Sequence, residues 1–141
     1  MYRYAFLAAL LVGCGGKPAP KKAAPELPVD GPASIAGEWV VDDDMGFFYT
    51  LTIGADGALG RKIDRGKMAP CEEGGKLAAG DKPKAFTLAK SKDTCHPDAA
   101  NASIAVEVAS FTGDVLTLVV TTSMGPERRT YRRRAKPQPA P

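Results

Sequence analysis

The chain has 141 residues, which is enough for one small domain. Its 19 basic and 16 acidic residues give a net charge of +3, far from the strongly basic balance of a nucleic-acid-binding protein. We therefore expect one compact domain and no nucleic-acid partner.

The first 13 residues have the order of a bacterial export signal. Arg3 supplies a positive charge, and the apolar run AFLAALLV follows at residues 5–12. That run is well short of the roughly 20 residues that span a bilayer. It leads into LVGC at residues 11–14, which resembles the lipobox of bacterial lipoproteins. The resemblance implies cleavage before Cys14 and lipid attachment to its sulfur.

A lipidated Cys14 would anchor the protein to the bacterial cell envelope, and the membrane would then be its first partner. We expect the outer membrane, at its periplasmic face or at the cell surface. A secretory peptide without lipid, or a buried N-terminal strand, is the alternative interpretation of the same residues.

Two stretches are too rich in proline and too poor in apolar periodicity to form a core. Residues 14–33 read CGGKPAPKKAAPELPVDGPA, and residues 136–141 read KPQPAP. We interpret the first as the lipidated cysteine with a linker and the second as a disordered tail. They flank a predicted domain at residues 34–135.

That domain reads as strands separated by turns. Tyr49, Leu51 and Ile53 alternate with polar residues, as do the apolar residues of the segments 103–109 and 115–122. No window has a sustained helical period, although one helix within residues 90–101 stays possible. We predict an all-β fold, a small antiparallel up-and-down β-barrel. The expected strands are 38–41, 47–53, 58–64, 74–79, 85–88, 103–109, 115–122 and 127–134.

The cysteine count agrees with export. The chain has three cysteines, and assigning Cys14 to lipid leaves Cys71 and Cys95. The periplasm permits disulfides and a small domain gains from one, so we predict a Cys71–Cys95 bond between two loops. Metal binding is the weaker alternative, because a structural zinc site needs four ligands.

The start of the first strand carries a short family signature. Gly37-Glu38-Trp39 resembles the Gly-x-Trp motif of the lipocalin-like, or calycin, barrels. The resemblance implies that an arginine at the end of the last strand packs across Trp39 and closes the barrel base. Arg132 or Arg133 is suitably placed for this. The family's Thr-Asp-Tyr motif is absent and the barrel is shorter than a full lipocalin, which argues against a large ligand cavity.

The sequence supplies little for catalysis, a cofactor or a metal. His96 is the only histidine, and no serine lies in a nucleophile-elbow context. The acidic runs at 42–44 and 72–73 lack the ligand spacing of a calcium loop, so we interpret both as solvated. The most distinctive charge feature is a C-terminal basic run, which predicts either an exposed strand face or contact with anionic lipid or an envelope polymer. It comprises Arg128, Arg129, Arg132, Arg133, Arg134 and Lys136.

These observations lead us to expect a non-enzymatic binding or structural barrel that binds an envelope protein or a small apolar ligand. The alternative is a periplasmic inhibitor of a cell-wall hydrolase, similar in role to lysozyme inhibitors, and an enzyme comes third. An empty apolar cavity would favour ligand carriage, and a filled barrel with an exposed patch would favour a protein partner. A cleft around His96 would favour catalysis.

Overall fold

The computed structural model describes residue 16 and residues 18–42 and 48–135. Eight strands follow one another there, each antiparallel to its chain neighbours, and β8 also pairs with β1 to close the sheet. The predicted all-β, up-and-down antiparallel barrel is therefore confirmed. Its strands are β1 (Gly37–Asp42), β2 (Phe48–Ile53), β3 (Ala58–Arg65), β4 (Met68–Ala79), β5 (Ala85–Asp93), β6 (Ser103–Phe111), β7 (Val115–Thr122) and β8 (Gly125–Arg133).

Helix is confined, in the described part of the chain, to two short 3-10 segments. These are η1 (Pro32–Ile35) and η2 (Pro97–Ala99). The sequence left one helix possible within residues 90–101, and the structure has the short 3-10 segment η2 there. Across the described ranges, no helix has the length and apolar character needed to cross a membrane.

The core lies inside the barrel and follows the alternation of the strands. Tyr49, Leu51 and Ile53 of β2 are 6%, 2% and 2% exposed, and Leu116 and Leu118 of β7 are equally buried. Since successive residues of a strand face opposite sides, this period-two pattern places one apolar row of each strand in the interior. The hydrophobic effect of burying these rows is the main stabilising term.

The middle strands are longer than the sequence predicted. β4 and β5 extend beyond the expected segments, and Cys71 lies within β4 rather than in a loop. The apolar alternation fails here because the inward position Glu73 is charged and Gly75, the next one, has no side chain. A Cβ at Gly75 would lie 2.3 Å from the Ala89 carbonyl oxygen, so glycine permits the close approach of β5.

The up-and-down connectivity gives the barrel two distinct ends. We call the end where β1 begins and β8 finishes the base; the turns at 54–57, 80–84 and 112–114 also lie there. The opposite end, which we call the rim, carries the turns at 66–67, 94–102 and 123–124.

The segment before β1 packs against the base. The Leu27 backbone N–H donates to the Phe111 carbonyl at 2.7 Å, and Val29 and Ile35 are 4% and 1% exposed. The packed part of the chain thus begins before residue 34, where the sequence suggested the domain boundary. Isolated apolar residues between prolines have no period, so their burial leaves no signal in the sequence.

Candidate functional site

The base is closed by a tryptophan and an arginine from the first and last strands. Trp39 is fully buried, and the Arg133 guanidinium carbon lies 4.3 Å from the centre of its ring. The indole N–H donates to the Ile35 carbonyl at 3.0 Å, and Arg133 donates to the carbonyls of Gly113 and Ala36 at 2.8 and 3.2 Å. Such a cation–π contact contributes about 0.5–2 kcal/mol.

Only one of the two candidate arginines takes part in this closure. Arg132 pairs with Val40 in the β1–β8 ladder and its side chain is exposed, because its neighbour Arg133 takes the inward position. Arg132 must therefore be removed from the predicted closure. The glycine of the Gly-x-Trp motif also has a local reason: Gly37 has φ of 145°, and a Cβ there would lie 2.4 Å from an Arg133 nitrogen.

The C-terminal basic run divides between the two faces of β8. Arg128 and Arg132 are exposed, whereas Arg129 and Arg133 are half-buried and face inward. The run is thus not a single cationic patch. Lys136, which the sequence added to it, lies outside the described residues.

Four charged side chains line the interior toward the rim and form what we call the interior ion network. Arg61 donates through Nε to Glu73 at 2.6 Å, and Lys90 pairs with Asp93 and lies 3.6 Å from Glu73. The exposed fractions of these side chains are 21% for Arg61, 10% for Glu73, 6% for Lys90 and 0% for Asp93. Every buried charge therefore has an opposite charge beside it, as burial requires.

The network favours the ionised forms of Asp93 and Arg61. Burial raises the pKa of the Asp93 carboxyl, but hydrogen bonds from Lys90 and from the His96 backbone N–H, at 2.7 Å, outweigh it and leave the pKa below its ordinary value. Burial likewise opposes the charge on Arg61, yet Tyr131 and Glu73 raise its pKa above the ordinary value. Removing one member would leave its partner charged and buried.

A second arginine supports the seam where the barrel closes. Among the described residues, β1 and β8 pair at two positions, whereas β7 and β8 pair at eight. From β8, Arg129 places its guanidinium carbon 4.1 Å from the centre of the Tyr49 ring on β2, and its Nε donates to Glu127 at 2.7 Å. Burial opposes this charge, but Tyr49 and Glu127 raise the pKa of Arg129 further above its ordinary value.

Cys71 and Cys95 form the disulfide that the sequence predicted, with their Cα atoms 5.1 Å apart. It fastens β4 to the loop that follows β5. Ligand atoms of Cys95, Glu73 and Asp93 lie within 4.8 Å of one another. The sulfur is already bonded and both carboxylates are held by Lys90, so this group suits a structural role better than a metal.

Buried apolar side chains and the interior ion network occupy the barrel interior. Two depressions, of about 290 and 460 Å³, lie open on the outside of the base. One lies beside Val29 and the 79–86 segment, the other beside Asp114 and the 132–135 segment. Neither includes His96, which is exposed in the loop after β5.

Exposed large apolar side chains concentrate at the rim. Phe48 at the start of β2, Met68 at the start of β4 and Met124 in the β7–β8 turn are 41%, 57% and 98% exposed. We call these three the rim hydrophobics. Near the base, Leu27 is the one exposed large hydrophobic side chain among the described residues, and 40% of it is exposed. Sequence reasoning missed this surface, because exposure at a turn depends on what packs around it.

Comparisons with protein-family models, with curated proteins and with solved structures found no match for this chain. The predicted lipid attachment site, Cys14, lies outside the described residues, so its lipidation stays a prediction.

Proposed function

We propose that this protein is a lipid-anchored component of the bacterial cell envelope whose barrel is a non-enzymatic binding module. Its partner is a protein, and the contact surface is the rim. The observation that carries the proposal is that Phe48, Met68 and Met124 are all exposed at this one end. Aromatic and methionine side chains are enriched where proteins bind each other.

The filled interior supports a protein partner over a small apolar ligand. Trp39 and its neighbours occupy the base, and the interior ion network occupies the space toward the rim. An apolar ligand would have to displace paired charges, which is unfavourable unless new partners replace the lost ones.

The charge near the rim bears on the alternative of a hydrolase inhibitor. Asp64, Lys67, Asp98 and Arg128 are exposed there, so both signs are present. A surface that captures a basic lysozyme is expected to be acidic, because complementary charge speeds and selects association. The rim therefore favours a partner of mixed charge with an apolar contact area.

Position-dependent photo-crosslinking tests the proposal. A photoreactive amino acid replaces Met124 or Met68 at the rim, or Thr87 on the barrel wall as the matched control, and the protein is irradiated in the intact cell envelope. We expect one protein adduct of the same mass from both rim positions and none from position 87. A small apolar molecule co-purifying at one per chain, with no rim adduct, would instead establish ligand carriage.

A further inference from the structure

The chain joins the barrel at the base. Leu27 is the first of the described residues with a backbone hydrogen bond to a strand, through Phe111 at the end of β6. Just before it, Glu26 pairs with Lys84, which precedes β5, at 2.9 Å. Residues 18–26 lie outside any helix or strand and are exposed. Anything attached upstream is therefore held next to the base.

The tether between Cys14 and this attachment point is short. It comprises the 12 residues 15–26, three of which are prolines. A flexible chain of that length has an end-to-end distance of roughly 20 Å. The nine residues of β8, at about 3.3 Å each and a tilt of about 40°, span roughly 23 Å along the barrel axis. The rim thus lies about one barrel length farther from the attachment point at Leu27 than the base does.

We propose that the base is the surface that faces the bilayer and that the rim is presented to the aqueous side. The proposal rests on the lipid anchor at Cys14 given under the proposed function. It assigns the base a lipid headgroup layer as its neighbour, and it leaves the rim hydrophobics free for a protein that approaches from solution.

The side chains of the base fit a polar headgroup layer better than the hydrocarbon below it. Its exposed groups include Asp30, Lys82 and Asp114, and Leu27 is its one exposed large hydrophobic among the described residues. Charged groups are strongly disfavoured in hydrocarbon, so the base rests on the surface without inserting. Because its charges are of both signs, this contact does not require anionic lipid.

Energy transfer from the barrel to the membrane measures this orientation. The chain from Cys14 onward is made without its signal, and Cys14, the thiol left outside the disulfide, is coupled to a maleimide phospholipid in phosphatidylcholine vesicles with acceptor-labelled headgroups. A fluorescent donor amino acid replaces Lys82 at the base or Met124 at the rim. We expect transfer from position 82 to be at least about twice as efficient, since it lies nearer by about one barrel length.

Moving the anchor provides the matched control. With Cys14→Ser and Ser123→Cys, the same lipid is attached to the rim, and the order of the two donors must reverse. Equal transfer from positions 82 and 124 in the Cys14-coupled protein, or stronger transfer from 124, would overturn the proposed orientation. The coupling is chemical, so this result does not depend on whether the cell lipidates Cys14. The mass of the protein purified from its own membranes tests that lipidation separately.

Discussion

The two ends of the barrel are closed by different chemistry. At the base, a fully buried indole packs beneath the Arg133 guanidinium, and Val29 and Ile35 of the preceding segment are buried in the same hydrophobic core. Toward the rim, the interior is filled by Arg61, Glu73, Lys90 and Asp93 instead. Apolar packing is favourable at any pH, whereas a buried ion network depends on every member keeping its charge. We therefore expect the base to carry stability and the rim to carry recognition and pH sensitivity.

The largest loss of stability is expected at the base. Trp39→Ala removes the largest fully buried side chain, with its edge contact to Phe111 at a ring distance of 6.1 Å, and leaves a cavity. The expected decrease in the free energy of unfolding is about 3–5 kcal/mol, a large share of what a small domain has. Urea denaturation followed by circular dichroism measures it, with Trp39→Phe as a variant that keeps the fold. A decrease below about 1 kcal/mol would mean that the base is not the main core.

The disulfide near the rim is expected to contribute nearly as much. It joins residues 24 apart in the sequence, and closing a loop of that length corresponds to about 3.5 kcal/mol in the chain-entropy description. Cys71→Ala combined with Cys95→Ala should lower the unfolding free energy by about 2–4 kcal/mol, measured in the same way. If the double variant and the parent have the same free energy of unfolding both with and without reducing agent, the bond does not form in the purified protein.

The ion network predicts an effect of similar size that depends on pH. Asp93→Asn removes the charge beside Lys90 while keeping the side-chain shape, and we expect a loss of about 2–4 kcal/mol near neutral pH. Because the pKa of Asp93 is lowered in the folded state, its contribution is present above the unfolded pKa of about 3.9 and disappears as the pH falls through the folded value.

Denaturation of the parent and the Asp93→Asn protein at several pH values measures this dependence. The difference in stability between them should shrink steadily as the pH is lowered below about 4. A difference that stays constant down to pH 2 would show that Asp93 is not a charged member of the network.

The smallest effect separates two neighbouring arginines. Arg133→Met removes the cation over Trp39 and two hydrogen bonds to carbonyls, so we expect a loss of about 1–3 kcal/mol. Arg132→Met, at the exposed neighbouring position, should change stability by less than about 0.5 kcal/mol. Equal effects at both positions would contradict the assignment of barrel closure to Arg133 alone.

The parts of the molecule that the sequence predicted are those with regular alternation. Tyr49, Leu51 and Ile53 alternate within one strand, and that local pattern is sufficient to predict both the strand and its buried face. Arg61 and Glu73 interrupt the alternation of apolar residues in their strands. A charged residue at an inward position can be explained only when its partner, 12 residues away, is known. The pairing depends on strand register, which the sequence alone does not fix here.

The affinity of rim and base variants for the crosslinked partner shows which end of the barrel binds it. Met68→Lys combined with Met124→Lys should weaken binding at least about tenfold, which corresponds to about 1.4 kcal/mol, while the melting temperature stays within about 2 °C of the parent. Leu27→Gln, the matched change near the base, should bind as the parent does. Unchanged binding by the rim variant, or binding lost through Leu27→Gln in a stable protein, would contradict a contact at the rim.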